Sequence, residues 1–574
     1  MQALSIETYL PCLEAHNTVS EKMKELSKLS SLKNHEKSRR KLICQYIHKL
    51  LLPYFPDCII KVFGSSVNGL GTEKCDLDLM FSPYPDFKYE DISVDKDEPL
   101  PSRYDVRRYS ILRERLKRMS REKQLCFILR VLRSDKGHVT FAAFIPARCP
   151  IVKFNIIFMH DEVSCDLSFD HRLALYNTKL LRFLVSIDPR VQPLMITLRF
   201  WAKYLNLISI GRLSSYCFTL LVIFFLQNIE NPILPSVNFL MKDTKSVIVD
   251  GREVGFTCDL SKVPKTKNNK REDELLEEFF SFYWSFNFLR DVICIRTGKA
   301  QPIKDFIESN DEIEQKFLIR DICVQDPFDV SFNVGSSIKL HGIPLLKPSM
   351  YVANLILRKN LCNETDDVFK LLFDEAFYKT TIENFMSFSD MQSWESLVIH
   401  PDYDILAILG TDDKSLSLWY ERSSDAILNI LNYIFFFNCE VINKNFCDEN
   451  PNEESNFTKK PSLLLSIQCA ADIRIWKHRN AKIDVPMEFY DKSFDNIILR
   501  KENALSHFTL KSFPLCRYYE PIFWFSCDIY KSNIPQFPFL LITFMPLTIS
   551  VEFTSAVKAL KKSIPNIVRN ILKN

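Results

Sequence analysis

Hydrophobic and polar positions change period several times along this chain, and each change marks a segment. Between residues 20 and 52, Leu26, Leu29, Leu42, Ile43, Ile47, Leu50 and Leu51 recur at helical spacing. They predict one or two amphipathic helices, stopped by Pro53 and Pro56. Cys58 to Phe63 alternates as a strand does, a short polar segment follows, and Cys75 to Phe81 predicts a second strand. Residues 82–102 are rich in Pro and Asp and read as a surface loop. The stretch 103–133 is helical in period, and the runs Val139–Ile145, Ile151–Ile157 and Val163–Phe169 after it are strand-like. Strand, turn, strand, helix and further strands is the order of an α/β unit on one mixed sheet.

From 172 to 310 the pattern is largely helical, and Tyr216–Gln227, apolar on nearly every side, predicts a buried helix. The stretch Val324-Gln325-Asp326-Pro327-Phe328-Asp329 is loop-like. Residues 443–460, rich in Asn, Glu and Lys, read as a linker. Beyond them Ser462–Gln468 and Phe539–Phe544 are β-rich, and 555–572 is a basic helix.

Length and composition narrow this picture. A chain of 574 residues exceeds one ordinary core, so two to four domains are expected, and the 46 phenylalanines predict aromatic-rich interiors. Only 11 glycines are present, which excludes long Gly-rich linkers. The net charge of +3 says little, but Arg103 to Lys136 carries twelve Lys/Arg against four Asp/Glu. That run reads either as a solvated helix surface or as a contact for a polyanion. The 17 cysteines form no CxxC pair and no zinc spacing, as expected of buried thiols in a reducing compartment. The longest apolar stretch, Tyr216 to Leu226, is about half of the ~20 residues a membrane span needs. Glu7 precedes the first positive residue, Lys22, which argues against a mitochondrial presequence. Lys37-Ser38-Arg39-Arg40-Lys41 has the composition of a nuclear address inside a helical pattern.

The chemistry centres on Phe63-Gly64-Ser65-Ser66 and, nine residues later, Asp76-Leu77-Asp78-Leu79. On a strand, Asp76 and Asp78 project from one face, while Leu77 and Leu79 anchor the other in the core. Adjacent carboxylates repel unless a cation lies between them, and hard Mg²⁺ or Mn²⁺ suits oxygen ligands. Cys165-Asp166-Leu167 offers a third carboxylate on a later strand. Three carboxylates and two ions suffice for in-line phosphoryl transfer. Gly64 lets the backbone approach a phosphate, and the Ser65 hydroxyl and the local N–H groups are its donors. A lone DxD is a weak signal; a strand, Gly-Ser and an apolar-flanked DxD at this spacing are together much stronger.

These residues resemble the template-independent RNA nucleotidyltransferases, the poly(A) polymerases and terminal uridylyltransferases of the DNA-polymerase-β-like superfamily. The resemblance spans about 40–340 and rests on FGSSVNGLGTEKCDLDL (63–79), CDLSF (165–169), WAKYLNL (201–207), LSSYCFTLLVIFFLQ (213–227), PILPS (232–236), ELLEEFFSFYWSFNF (274–288) and QDPFDVSFNV (325–334). LLPYFPDC, ARCPIVKF, RLALYN and VDGREVGFTCDLSKV lean towards a nuclear, speckle-targeted branch, with the mitochondrial poly(A) polymerases its nearest rival.

The resemblance implies an α/β plus α protein: a nucleotidyltransferase sheet domain (53–171) and a helical central domain (20–52 with 172–440, poly(A) polymerase-associated region 275–335). A linker (441–460) and a small α+β, kinase-associated-like RNA-binding domain (461–574) would follow, behind an extension (1–19). It implies that Asp76, Asp78 and Asp166 hold two Mg²⁺ or Mn²⁺ ions and that Gly64, Ser65, Arg199, Lys203, Ser215 and Tyr216 meet the triphosphate of ATP or UTP. Asn177 would contact the ribose, and Tyr216 would also stack on the base. The partner implied is an RNA 3′ end, of small nuclear RNA or mRNA, in the nucleus. Uridylyltransferases of the family carry a His that favours uracil where this chain has Phe332, which weakens the case for uracil preference and makes adenylation a real alternative. Arg474, Lys477, His478, Arg479 and Lys482 near Trp476, with Lys558, Lys561, Lys562, Arg569 and Lys573 on the last helix, read either as RNA contacts or as solvated surface. Two other classes stay open: a catalytically silent RNA-binding scaffold, and an enzyme that transfers nucleotides to protein or small molecules.

Overall fold

The computed structural model describes residues 6–573 apart from 84–109, 210, 289, 310, 321, 339–345, 359–366, 387–394, 402–412, 445–460, 480–484, 492, 513–520, 533–537 and 548–550. The loop expected at 82–102 and the beginning of the basic run at 103–109 therefore lie almost wholly outside the described residues.

Alternation in the first third of the chain produces β1 (Ile59–Phe63), β2 (Leu77–Ser82), β3 (Val139–Ile145), β4 (Ile151–Phe158) and β5 (Asp161–Phe169). They form one mixed sheet in the order β1-β2-β5-β4-β3, parallel between β2 and β5 and antiparallel elsewhere. Helices Asn34–Leu51 and Arg121–Ser134 cover one face, burying Ile43, Ile47, Leu51, Leu125, Ile128 and Leu132 against Leu77, Leu79, Phe81 and Leu167. Those helices supply the apolar cover that one half-hydrophobic sheet face requires. The two arginines that suggested a nuclear address serve this packing. Arg40 is buried and donates to the Cys75 carbonyl at 2.8 Å, and Arg39 pairs with Asp161 at 2.6 Å.

The second body is helical. Val19–Ser30, Arg172–Ile187, Val191–Tyr204, Ser215–Asn228, Glu272–Ser285 and Leu346–Leu357 enclose the largest core, in which Phe218, Phe224, Phe225, Phe279, Phe280 and Tyr283 pack mostly edge to face. Tyr283 satisfies its buried hydroxyl by donating to the Leu221 carbonyl at 2.6 Å. A hairpin of β6 (Ile248–Val249) and β7 (Arg252–Glu253) and a small sheet of β8 (Asp291–Cys294), β9 (Lys299–Pro302) and β10 (Val324–Gln325), ordered β10-β8-β9, complete it. Two expected boundaries shift here. Residues 6–19, expected as part of an extension, pack into this core, where Ile6, Tyr9 and Leu13 are buried. The stretch 20–52 divides, its first helix packing here and its second on the five-stranded sheet β1–β5.

A third boundary moves further. The C-terminal sheet comprises β11 (Glu395–Ile399), β12 (Asn438–Lys444), β13 (Ser462–Ala471), β14 (Phe523–Lys531) and β15 (Leu540–Pro546), in the antiparallel order β11-β15-β14-β13-β12. Helices Asp413–Asn429, Ile497–Ser512 and Val551–Lys573 line it, with Trp419, Ile427, Leu431, Ile467, Phe525, Ile542, Leu560 and Ile564 in one core. An expected start at 461 is therefore too late: two strands and a helix before the polar segment pair across it, a long-range register that local periodicity does not contain. On the other face Phe539 and Leu541 meet Trp284 of the helical body.

Candidate active site

Strand register builds the carboxylate site. Phe63 pairs with Asp78, Asp78 with Asp166 and Asp166 with Lys153, so one row crosses β1, β2, β5 and β4. Leu77, Leu79, Cys165 and Leu167 are fully buried on the opposite face. Asp76 stands one residue before β2 and is half exposed. The Lys153 ammonium lies 3.1 Å from Asp166 Oδ1 and 3.8 Å from Asp76 Oδ2, which places two of the three carboxylates around one positive charge.

The local electrostatics follow. Burial, then the charges of Asp166 and Asp76, push the Asp78 carboxyl up to about 7, with Lys153 and Arg40 pulling it back. Burial also raises Asp166, against the attraction of Lys153. For Lys153 burial opposes the charge, but Asp166 and Asp76 outweigh it and hold the ammonium above the ordinary lysine value. Among the described residues no three or more His, Cys, Asp or Glu side chains stand converged as a ready-made ligand cluster. The donor set nevertheless suits a hard divalent ion, being all carboxylate oxygen and already gathered round a cation.

Gly64 presses against this row. Its φ is +72°, and a Cβ there would fall 2.1 Å from Asp78 Oδ2, so only glycine fits. The Gly64 N–H donates to Thr178 Oγ1 at 2.9 Å, tying the turn to helix Arg172–Ile187, and the Ser66 hydroxyl donates to the Asp76 carbonyl at 3.2 Å. With the Gly64 N–H so committed, the half-buried Ser65 is the remaining candidate donor of the pair.

The helical body supplies the facing wall. Ser214 caps helix Ser215–Asn228 by accepting from the Cys217 N–H at 3.0 Å, so Ser215 opens the helix and Tyr216 follows it. The Tyr216 hydroxyl and Asn177 Nδ2 both donate to Asp326 Oδ2, at 3.0 and 3.2 Å. Asp326 Oδ1 accepts the N–H groups of Phe328 and Asp329 at 3.0 and 2.9 Å. Burial pushes both the Tyr216 phenol and the Asp326 carboxyl up, Asp326 adding to the first and its N–H donors opposing the second. Asn177 Oδ1 is buried without a hydrogen-bond partner, an acceptor suited to a hydroxyl donor.

Arg199 and Lys203 separate in role despite sharing a helix face. Arg199 is buried and donates to the Leu70 carbonyl at 2.7 Å, so it anchors the chain that follows the Gly-Ser turn. Lys203, one turn later, reaches solvent, yet surrounding protein and then Arg199 hold it below the ordinary lysine value. At the far end of the wall, the Arg148 guanidinium carbon sits 3.6 Å above the Phe332 ring. Its Nη2 lies 3.1 Å from Asp329, and Arg252 also pairs with Asp329, at 2.9 Å. Arg148 belongs to the β3–β4 connection, so the sheet domain reaches the helical wall at Phe332.

Sequence reasoning assigned no role to Lys153, Arg148, Thr178 or Asp326. Lys153 and Arg148 both stand within ARCPIVKF, and the signal for Lys153 was a cation on a strand predicted to neighbour that of Asp166. In the C-terminal domain, Trp476 is buried in the core and offers no stacking platform. Arg474 and Lys477 pair with Glu552 at 3.4 and 2.8 Å, and Arg479 pairs with Glu502. Lys558 and Lys562 are exposed on the last helix, Lys561 is half-buried beside them, and Lys482 lies outside the described residues.

Comparison with known proteins agrees with this geometry. The family described as "Poly(A) RNA polymerase, mitochondrial-like, central palm domain" matches residues 19–186, and "Cid1 family poly A polymerase" matches 274–332. The speckle targeted PIP5K1A-regulated poly(A) polymerase of Danio rerio is 32% identical over 348 residues, covering 56% of this chain and 43% of the relative. The mitochondrial poly(A) RNA polymerase of Homo sapiens is 28% identical over 333 residues, covering 56% and 53%. The chain thus spans about half the length of these curated relatives. A crystal structure of mtPAP in complex with UTP superposes with a TM-score of 0.52 at 25% identity, covering 65% of this chain and 74% of that one. The same protein in complex with CTP gives 0.52 at 25%, with the same coverage.

Proposed function

We propose that the chain belongs with the poly(A) polymerases and terminal uridylyltransferases, the RNA nucleotidyltransferases it resembles, and that it is a template-independent enzyme that transfers UMP or AMP from a nucleoside triphosphate to the 3′-hydroxyl of RNA. The observation that carries this reading is the row Asp78–Asp166, pressed by Gly64 and faced by the Asn177–Tyr216–Asp326 wall.

Asp76 and Asp78 would hold two Mg²⁺ or Mn²⁺ ions and Asp166 would complete the set on the hydroxyl side. When bound, such ions lower the pKa of the attacking hydroxyl and neutralise charge on the departing pyrophosphate. Ser65 and Lys203 donate to the triphosphate, and Arg199 supports the loop that carries Ser65. Asn177 Oδ1 accepts from a ribose hydroxyl, which favours ribonucleotides. Tyr216, oriented by Asp326, stacks on the base. The 3′-oxygen then bonds to the α-phosphorus, the bond to the β-phosphate oxygen breaks, and pyrophosphate leaves.

The speckle-targeted, nuclear type is the reading we favour, on the 32% identity to that relative and the motifs shared with it; a mitochondrial-type poly(A) polymerase is the rival, on 28%. An RNA 3′ end, small nuclear or messenger, is the partner, and Lys558 and Lys562 are candidate contacts to it. No helix among the described residues is long and apolar enough to cross a membrane. The test is extension of a 5′-labelled RNA with each of the four NTPs and Mg²⁺ or Mn²⁺. Extension by wild type and none by Asp78→Ala is expected. Equal behaviour of the two would overturn the mechanism, and RNA binding without extension would favour the scaffold.

A further inference from the structure

The Lys153 ammonium is the positive charge that the carboxylates already hold. The β4–β5 register sets Lys153 directly beside Asp166, and Asp166 pairs in turn with Asp78, so the lysine lies on the reacting face by strand geometry. Its Nζ is 3.1 Å from Asp166 Oδ1, in hydrogen-bond contact, and 3.8 Å from Asp76 Oδ2. It therefore lies against two carboxylates of the proposed ligand set. Next in the same row, on β3, stands Ala143, whose small side chain leaves the flexible lysine a place to withdraw.

We propose that Lys153 is a built-in counter-ion that occupies part of the cation site and must leave Asp166 and Asp76 for divalent ions to bind. This rests on the reading that the three carboxylates are metal ligands. Without a cation, three carboxylates on one sheet face repel, and the lysine holds them together. Once two divalent charges enter, the ammonium becomes a like charge beside them and swings towards Ala143 and the sheet edge. The arrangement makes metal affinity weaker than the carboxylates alone would give, and couples metal entry to a side-chain movement. In place of a vacant acidic cavity, the site is a preassembled ion pair that exchanges one cation for another.

Manganese binding to the full chain, without nucleotide or RNA, tests this. Free Mn²⁺ is measured by electron paramagnetic resonance during titration with MnCl₂, and thermal unfolding is followed by circular dichroism with and without MnCl₂. Lys153→Met should bind Mn²⁺ roughly tenfold more tightly than wild type, since a unit charge in contact with the ligands is gone. Its melting temperature should be lower than wild type without metal and should rise more on adding Mn²⁺. Lys153→Arg, which keeps the charge, should bind as weakly as wild type. Lys153→Gln, polar and of similar length, should follow Lys153→Met and guards against a packing defect in that variant. Binding by Lys153→Met and Lys153→Gln equal to or weaker than that of wild type would overturn the counter-ion role while leaving the metal site intact. No Mn²⁺ binding by wild type, with none lost in Asp78→Ala, would overturn the metal site itself and with it this proposal.

Discussion

Replacing Gly64 by alanine perturbs two separable things, and the structure gives a magnitude for each. Backbone strain comes first: φ at Gly64 is +72°, and an L-residue in the left-handed region costs about 1–2 kcal/mol. The clash comes second. The new methyl would lie 2.1 Å from Asp78 Oδ2 and 2.9 Å from Asp78 Cγ, whereas a carbon and an oxygen in contact need about 3.3 Å or more. Asp78 sits on β2 between β1 and β5, so its backbone is pinned on both sides and its carboxylate has to rotate away by roughly 1 Å. A misplacement of that size at a reacting centre costs about 100-fold in rate. Gly64→Ala should therefore lose about 100-fold or more in RNA extension while losing only about 1–2 kcal/mol of stability. Gly251→Ala separates the two effects, because φ there is +75° but nothing lies within 4 Å of a built Cβ. It should show the same stability loss with extension close to wild type. Initial rates on a labelled RNA, together with urea unfolding of both variants, make the comparison. Extension by Gly64→Ala within about threefold of Gly251→Ala would refute the reasoning, because the contact with Asp78 would then have no bearing on the chemistry.

Phe332→His should raise UTP use relative to ATP, since an imidazole can hydrogen-bond a base edge and the Arg148 guanidinium above it keeps the ring neutral; competition between the two NTPs measures it, and an unchanged ratio removes position 332 from base choice. Asp326→Asn should raise the KM for the NTP about tenfold, because it removes the charged acceptor shared by Tyr216 and Asn177. Combined with Tyr216→Phe its effect should be far less than additive, as expected of two groups in one contact, and full additivity in a double-mutant cycle would count against the shared role. Lys347 is buried in helix Leu346–Leu357, and burial lowers its ammonium from 10.5 to about 8. A depressed lysine makes folding less favourable by roughly 3 kcal/mol below pH 8, and the penalty fades as pH rises from 8 to 10.5. Lys347→Met should be more stable than wild type at pH 7 by up to that amount, with the gap closing by pH 10.5; a gap that does not change with pH would show that the charge is not its source.

How much of the molecule was legible beforehand depends on the range of the interaction involved. The alternation in 58–63, 75–81 and 139–169 marked the five strands, and Leu77 and Leu79 showed which way Asp78 faces, because period-two burial is local information. Tyr216–Gln227 read as a buried helix for the same reason. The C-terminal domain was misjudged because β11 and β12 find their partners across the polar segment before residue 461. Nothing near residues 395–444 announces such a pairing. That Arg40 and Trp476 lie buried was not legible, because residue type was visible and burial was not.

By itself, then, the sequence determined the chemical class of the site: a glycine turn, three carboxylates and their strands, all specified by short spacings and side-chain type. Tertiary structure alone decided what surrounds them. It set Lys153 between Asp166 and Asp76, brought Arg148 over Phe332, and joined Asn177 to Tyr216 through Asp326. Each of these is a contact between elements distant along the chain or set by strand register. Its energy depends on distance and burial in space, and those quantities exist only once the chain is folded.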